Sequence, residues 1–240
     1  MKKALKITLI SIISLIAVSA LVVFVFFPGI FTYFKVKKEF PSIENELTEI
    51  TKLYMDKDEV PDDYVEAECD GVTVKGPSYA VNNNTTGMVP FKEKDNLIVM
   101  VIKSELNTAE YGGEYNKYEK EDYEHFFESL DIDMPESSYD DRCFLYNLQA
   151  KDCLKLRGKD LDVFMELAEA KQIASRIETP YIYEYNGKKG FICNIKSNDT
   201  YTYYYNADFF TEENEYVISV LSNNIETVKR VIASIEITEE

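Results

Sequence analysis

Ile7 to Phe27 is one unbroken run of 21 apolar or small residues, and an uncharged stretch of that length suits a bilayer better than the interior of a domain. As a helix it reaches about 31 Å at 1.5 Å of rise per residue, matching the hydrocarbon thickness of a membrane. Lys2, Lys3 and Lys6 precede it and Pro28-Gly29 closes it. Residues 1–34 therefore read as a single transmembrane helix with a short basic tail. Val18-Ser19-Ala20 has the spacing of a signal-peptidase site, but cleavage there would leave Leu21 to Phe27 as an apolar new terminus, and the run exceeds a usual signal core. No cysteine lies near its end, the first being Cys69, which excludes a lipoprotein anchor. Retention as a signal anchor is expected.

The basic residues flanking the run are nearly balanced, Lys2, Lys3 and Lys6 against Lys35, Lys37 and Lys38. A short basic tail before a first apolar run is the usual start of an export signal, and long C-terminal domains cross largely regardless of charge. The expected location is the cell membrane, single-pass, with the N-terminus cytoplasmic and the C-terminal domain outside. Phe31, Tyr33 and Phe34 would then lie at the outer interface.

Residues 41–240 hold 20 basic and 42 acidic residues, a net charge of −22. Such a domain is repelled by phosphate backbones, so nucleic acid is not an expected partner. A protein or peptide of basic character fits the charge, although the same charge also serves plain solubility. The four cysteines, Cys69, Cys143, Cys153 and Cys193, are too widely spaced for a disulfide framework. Cys143 and Cys153 are the one pair near enough in sequence to suggest a bridge. No C-x-x-C exists for zinc or redox work.

Beyond the anchor, residues 35–63 read as a juxtamembrane helix and an acidic linker. Ser42 is a candidate cap for a helix carrying Ile43, Leu47, Ile50 and Tyr54 on one face. Asp56 to Asp70 then carries eight acids in fifteen residues. Residues 64–240 form the soluble domain. Asp70-Gly71 and Asn186-Gly187 are hairpin signals, the second between strands Tyr181–Tyr185 and Gly190–Ile195. Leu97–Ile102 suggests a strand buried on both faces, Cys143–Leu148 a strand, and Tyr216–Leu221 another. Helices are expected over Tyr118–Leu130 and Leu161–Ile177, and at the end with Ile225, Val228, Ile232 and Ile235 as its buried stripe. The fold class is α+β: a transmembrane helix, then an antiparallel sheet domain with helices packed on it.

The strand meander followed by a helix ending in Val231-Ile232-Ala233-Ser234-Ile235 resembles the Mog1/PsbP-like fold of small exported bacterial domains, over residues 64–237. The absence of tryptophan and an extra helical segment around 149–177 depart from that pattern. The resemblance implies a non-enzymatic binding or assembly role and assigns no residue a function.

His125 is the only histidine, so any Ser-His-Asp or Cys-His site must use it. Its place on an acidic helix face reads as structural. Asp56, Asp58, Asp62 and Asp63, and again Asp131 and Asp133, supply oxygens for calcium, but neither segment has the glycine of an EF-hand loop. No metal, cofactor or catalytic residue is expected. Tyr181, Tyr183, Tyr201, Tyr203 and Tyr205 occupy neighbouring strands and can gather on one face. That face either packs under a helix or forms an aromatic binding platform with an acidic rim. The leading expectation is a surface-facing, non-enzymatic adaptor, sensor or assembly factor. An envelope hydrolase using carboxylates, or an immunity protein against a basic partner, are the alternatives.

Overall fold

The computed structural model describes residues 2–49, 55, 57–77, 88–90, 97–105, 111–113, 116–175, 180–185, 188–195, 200–211 and 214–238. In chain order these form helices α1 (Lys2–Phe26) and α2 (Ile30–Glu39), and strands β1 (Thr48–Glu49), β2 (Tyr64–Cys69), β3 (Val72–Pro77), β4 (Met88–Pro90) and β5 (Ile98–Glu105). Helices α3 (Lys120–Leu130), α4 (Ser138–Asn147) and α5 (Lys159–Ser175) follow, then strands β6 (Tyr181–Tyr185), β7 (Lys188–Ile195), β8 (Tyr203–Phe210) and β9 (Asn214–Ser222). Helix α6 (Ile225–Ala233) and strand β10 (Glu236–Ile237) end the chain. Two compact units result. The first comprises Met1–Glu44, Glu110–Met134 and Leu148–Gln172; the second comprises Asn45–Ala109, Pro135–Asn147 and Ile173–Glu240.

In the first unit α1 stops at Phe26, before Pro28, whose missing N–H cannot extend the helix. The chain turns by 73° into α2. A 3-10 turn, Ala150–Lys155, holds this corner. Gly29 N donates to Leu154 O at 3.4 Å, the Cys153 thiol donates to Gly29 O at 3.5 Å, and Arg157 Nη2 donates to Val25 O at 3.0 Å. The last bond satisfies one of the carbonyls that a helix C-terminus leaves open and sets a cation against its negative end. Among the described residues no single helix is long and apolar enough to cross a membrane; Ile12–Phe26 and Ile30–Glu39 reach that length only as a bent pair.

Ser42 does not cap a helix over 43–54. Pro41–Glu44 is a 3-10 turn and Thr48–Glu49 a strand, while Ile50 and Tyr54 lie outside the described residues. The helix forms earlier, as α2, and ends at Glu39 because Pro41 pushes Phe40 out of helical backbone; Phe40 sits at φ −125° and ψ 76°. The turn is clamped instead by α5. Ser42 donates to Gln172 Oε1 through its backbone N (3.0 Å) and its hydroxyl (2.7 Å), and the fully buried Lys171 donates to Leu148 O (2.7 Å) and Ile43 O (3.3 Å). Carbonyl oxygens on separate segments thereby meet one ammonium, which has three donors to give.

Helix α3 begins with a capping box between Glu119 and Asp122 and ends on Asp131 in left-handed backbone. It buries Tyr123, Phe126 and Phe127, the spacing that defined it in sequence. It is tied to α5 by Lys159–Asp122 (2.5 Å) and by Tyr123 Oη donating to Glu166 (3.0 Å).

The second unit is built on a seven-stranded sheet ordered β1-β6-β7-β8-β9-β5-β4 and a three-stranded sheet ordered β10-β3-β2. All the pairings are antiparallel except β1 with β6. The β2–β3 connection is Asp70-Gly71 at φ 49° and 76°, the two positive values a tight hairpin turn demands. The β6–β7 hairpin pairs Tyr185 with Lys188, so its strands are those expected; Asn186-Gly187 lies outside the described residues. One face of the large sheet meets α6 and the small sheet in the main core, where Val228, Val231 and Ile232 are fully buried beside Val72 and Val74. Asn224 starts α6 by accepting from Glu226 N. Strand β5 alternates rather than being buried on both faces: Leu97, Val99 and Val101 are buried and Ile102 is 59% exposed.

Residues Cys143–Leu148, expected as a strand, belong largely to helix α4. Ser137 Oγ accepts from Asp140 N at 3.1 Å, a cap that starts the helix. Tyr139, Cys143 and Tyr146 then fall at i, i+4 and i+7 and pack on the opposite sheet face against Phe191, Cys193 and Phe210. The Tyr139 ring stacks on Phe191 at 5.2 Å, and Tyr146 meets the same ring edge-on at 5.2 Å.

Candidate functional site

The strand register places Tyr181 and Tyr183 on β6 and Tyr203 and Tyr205 on β8, with β7 between them, so the rings are not gathered into one patch. Tyr181 lies opposite Ile192 and Tyr183 opposite Gly190, while Tyr205 lies opposite Val220. Tyr183 (2% exposed) and Tyr205 (8%) belong to the main core, with Tyr203 packed against it. Tyr181, Tyr201 and Tyr203 are half-buried, and Tyr201 lies before β8 begins. Tyr183 and Tyr205 are thus core residues, packed in one cluster with α6 and the small sheet, and these two do not present an open aromatic face.

The most unusual chemistry lies on the other face, beneath α4. Side chains alternate along β8, so Tyr204, Asn206, Asp208 and Phe210 point away from the main core. Asp208 is 7% exposed, and its Oδ1 has no hydrogen-bond partner among the described residues. Burial raises its pKa to about 7, Arg142 opposing and Glu215 reinforcing the rise. Arg142 Nη2 donates to Glu215 Oε1 at 3.5 Å, so its charge is divided between two carboxylates. Beside them the Tyr146 hydroxyl and Cys193 sulfur lie 3.6 Å apart. Burial first, and the Asp208 charge second, push the Cys193 thiol up to about 12. Burial likewise raises the Tyr146 phenol. A thiol held protonated at neutral pH is a poor nucleophile. A carboxyl this enclosed is also not placed to meet a glycoside, whose hydrolysis needs two carboxyls in reach of substrate.

Asp208 was not singled out from sequence, though a signal existed. An acid in a strand otherwise made of aromatic, alanine and asparagine residues is flanked by two buried faces. Arg142 needed the helical register of α4, which the apolar run disguised.

His125 lies in the first unit. It is exposed, and its Nδ1 is 2.7 Å from Oδ1 of the buried Asp160. Ser129, one turn on, donates to Asp160 Oδ2 at 2.8 Å. Serine and histidine therefore share the carboxylate and do not bond each other, so the serine–histidine contact of a Ser-His-Asp relay is not formed. The hydrogen bond to Asp160, more than any other cause, raises the His125 pKa above its ordinary 6.5. The bridge is thus fully formed below pH 6.5 and weakens as pH rises through the raised value. Protection of the α3 amides, taken relative to intrinsic exchange at each pH, should fall across that window in the native chain and stay level in His125→Ala; equal pH dependence of protection in both would show that the bridge adds no stability.

Cys143 and Cys153 are not bridged. None of the four cysteines is in a disulfide, and Cys153 uses its sulfur on Gly29. Among the described residues no three His, Cys, Asp or Glu side chains converge in a way that could hold a metal. Asp58, Asp62 and Asp63 are exposed, as are Asp131 and Asp133.

Taken together, the described residues define an α+β protein with an antiparallel sheet covered by helices and a closed polar cluster beneath one of them. No family model matches the chain, and no curated protein matches it. Solved structures do. A crystal structure from Bacteroides thetaiotaomicron VPI-5482 is 12% identical with a TM-score of 0.28 over 75% of this chain, which spans 44% of the other chain. The solution structure of cyanobacterial PsbP (CyanoP) from Synechocystis sp. PCC 6803 is 9% identical with a TM-score of 0.32, over 74% of this chain and 94% of that one. A PsbP structure is thus among the neighbours.

Proposed function

We propose that this chain is a single-pass membrane-anchored protein whose α+β domain stands outside the membrane and binds a protein or peptide of basic character without catalysing a reaction. The observation that carries the reading is the exposure of α1: every side chain from Ile12 to Phe27 is exposed, Leu15 at 69% and Leu21 and Phe26 at 67%. A helix apolar on all sides needs a lipid or protein environment, because in water it would present far more contiguous apolar surface than a soluble protein tolerates. With the undescribed side chains of Ile7 to Ser11 included, the run has bilayer length. The charge of −22 beyond residue 40 favours a cationic partner through long-range attraction, which salt screens. The non-catalytic reading is supported by the raised Cys193 thiol and by Ser129 bonding to Asp160 rather than to His125.

Intact cells expressing the full chain would be labelled with a membrane-impermeant maleimide, whose targets are the half-buried Cys69 and Cys143. The expected result is full-length protein in the membrane fraction, labelled before lysis. Labelling only after lysis, or a soluble product, would remove the proposal. A captured partner should be basic and should dissociate steeply with added salt; salt-insensitive capture would defeat the electrostatic part.

A further inference from the structure

We propose that α2 is an interfacial helix lying in the plane of the membrane, with Phe31 and Phe34 entering the boundary between headgroups and acyl chains and Lys35 and Lys38 on lipid phosphates. This rests on α1 spanning the bilayer. The 73° bend between Ile12–Phe26 and Ile30–Glu39 then brings α2 to within about 20° of the membrane plane, a departure no larger than the usual tilt of a spanning helix.

The sidedness of α2 fits that position. At 3.6 residues per turn Phe34, Lys38, Phe31 and Lys35 fall within about 100° of arc. All four are exposed, Phe31 at 67% and Phe34 at 64%, whereas Val36, on the opposite side, is fully buried. Two aromatic rings beside two lysines is the composition of a helix that lies on a membrane, the rings contributing buried apolar area and the ammonium groups reaching outward along their stems. Tyr33 lies off this face: it is half-buried and accepts from Lys37 Nζ at 3.3 Å. Lys37 is also paired with Glu44 at 3.3 Å. Lys35 is 4.0 Å from Glu39, with both side chains about half exposed.

The corner is built to hold the angle. Gly29 is bonded to the 3-10 turn Ala150–Lys155 through both its N–H and its carbonyl. Phe24 on α1 and Phe31 on α2 meet across it at 5.4 Å. The apolar surface is therefore continuous from the span onto the lower face of α2, which commits that face to lipid. Attraction between the two lysines and phosphate acts within a Debye length. Local cations at the membrane can therefore hold a domain whose distant charge is strongly negative.

The chain contains no tryptophan, so single tryptophans report without background. Full-length Phe34→Trp and Leu15→Trp would be placed separately in nanodiscs of phosphatidylcholine and phosphatidylglycerol carrying bromine either just below the headgroup or near the chain end. Phe34→Trp is expected to emit in the blue and to be quenched about two-fold or more strongly by shallow than by deep bromine, with Leu15→Trp showing the reverse. Lys35→Glu with Lys38→Glu should weaken the shallow quenching. If Leu15→Trp is quenched at depth but Phe34→Trp emits as a water-exposed ring, the anchor stands and the in-plane helix is overturned. A blue-shifted, unquenched Phe34→Trp places protein on this face and overturns it equally. If Leu15→Trp is quenched at neither depth, the span fails and the inference falls with it.

Discussion

Asp208→Asn is expected to stabilise the protein at about pH 8 by up to about 4 kcal/mol and to abolish most of the loss of stability that the native chain shows between about pH 4 and pH 7. The carboxyl titrates near 3.8 when the chain is unfolded and at about 7 when folded. Its folded pKa is raised, so the folded state binds the proton more tightly. Stability is highest below the unfolded value and falls as pH rises through the folded one. Above about 7 the native fold holds a buried carboxylate with one oxygen unpartnered among the described residues, which Arg142 only partly offsets because Glu215 competes for it. Asparagine keeps the shape and removes the charge. It leaves a polar orphan of about 1–3 kcal/mol, which makes the quoted gain an upper bound. Denaturant unfolding of both chains in micelles, at pH 5 and pH 8, decides the matter. Parallel pH profiles would mean that solvent or a partner reaches Asp208 and that α4 does not seal it. The His125 bridge also weakens with rising pH, but starting from about 6.5, where the Asp208 loss is nearly complete.

Gly29→Ala should be the most damaging small substitution in the first unit, lowering its stability by on the order of 3 kcal/mol or more. The backbone there, at φ −81°, suits any residue, so the effect is purely steric. A Cβ on Gly29 would lie 1.7 Å from Cys153 O and 2.6 Å from Cys153 C, both main-chain atoms of the turn Ala150–Lys155. Main chain cannot swing aside as a side-chain tip can, so the corner must leave its seat. With it go the bonds from Gly29 N to Leu154 and from Cys153 to Gly29. Faster amide exchange over 150–157, with the exchange of β7, β8 and β9 unchanged, is the expected signature. An unaltered melt and exchange pattern would mean that α2 is not held against this turn. If α2 lies in the membrane plane as proposed, the same variant should also broaden the depth distribution of a tryptophan at position 34.

Where a local rule alone decides the outcome, the chain was legible. Asp70-Gly71 forms a two-residue turn because few other pairs accept two positive φ values. Val228, Ile232 and Ile235 were assigned to the core by spacing and are found there. The α3 boundaries fell within two residues of expectation, since Tyr123, Phe126 and Phe127 share one side of a helix. The apolar run of residues 7–27 is likewise a local fact, and its helix is formed.

The misreadings arose where two elements compete for the same residues. Cys143–Leu148 is apolar enough for a strand, and only the cap at Ser137 and the stacking of Tyr139 on Phe191 make it helical. Leu97–Ile102 gives no periodicity, and the strands beside it, not its own composition, leave Ile102 outside. The Cys143–Cys153 pairing was a guess from proximity in sequence, and proximity in sequence says little about where two Cβ vectors point.

What the sequence by itself determined is the set of elements whose cause is local: the apolar run, the turn glycines, the helical and alternating stripes, and an α+β order. Tertiary structure alone decided which face of a stripe is interior. Tyrosines at alternate positions of a strand suit a core as well as a platform, and at Tyr183 and Tyr205 the packing of α6 and the small sheet makes them core. The same holds for Asp208 and Lys171, whose ordinary polar identities conceal burial imposed by α4 in one case and by carbonyls of distant segments in the other. Burial depends on what packs against a residue from far along the chain, and the energy of that contact is written in both partners together.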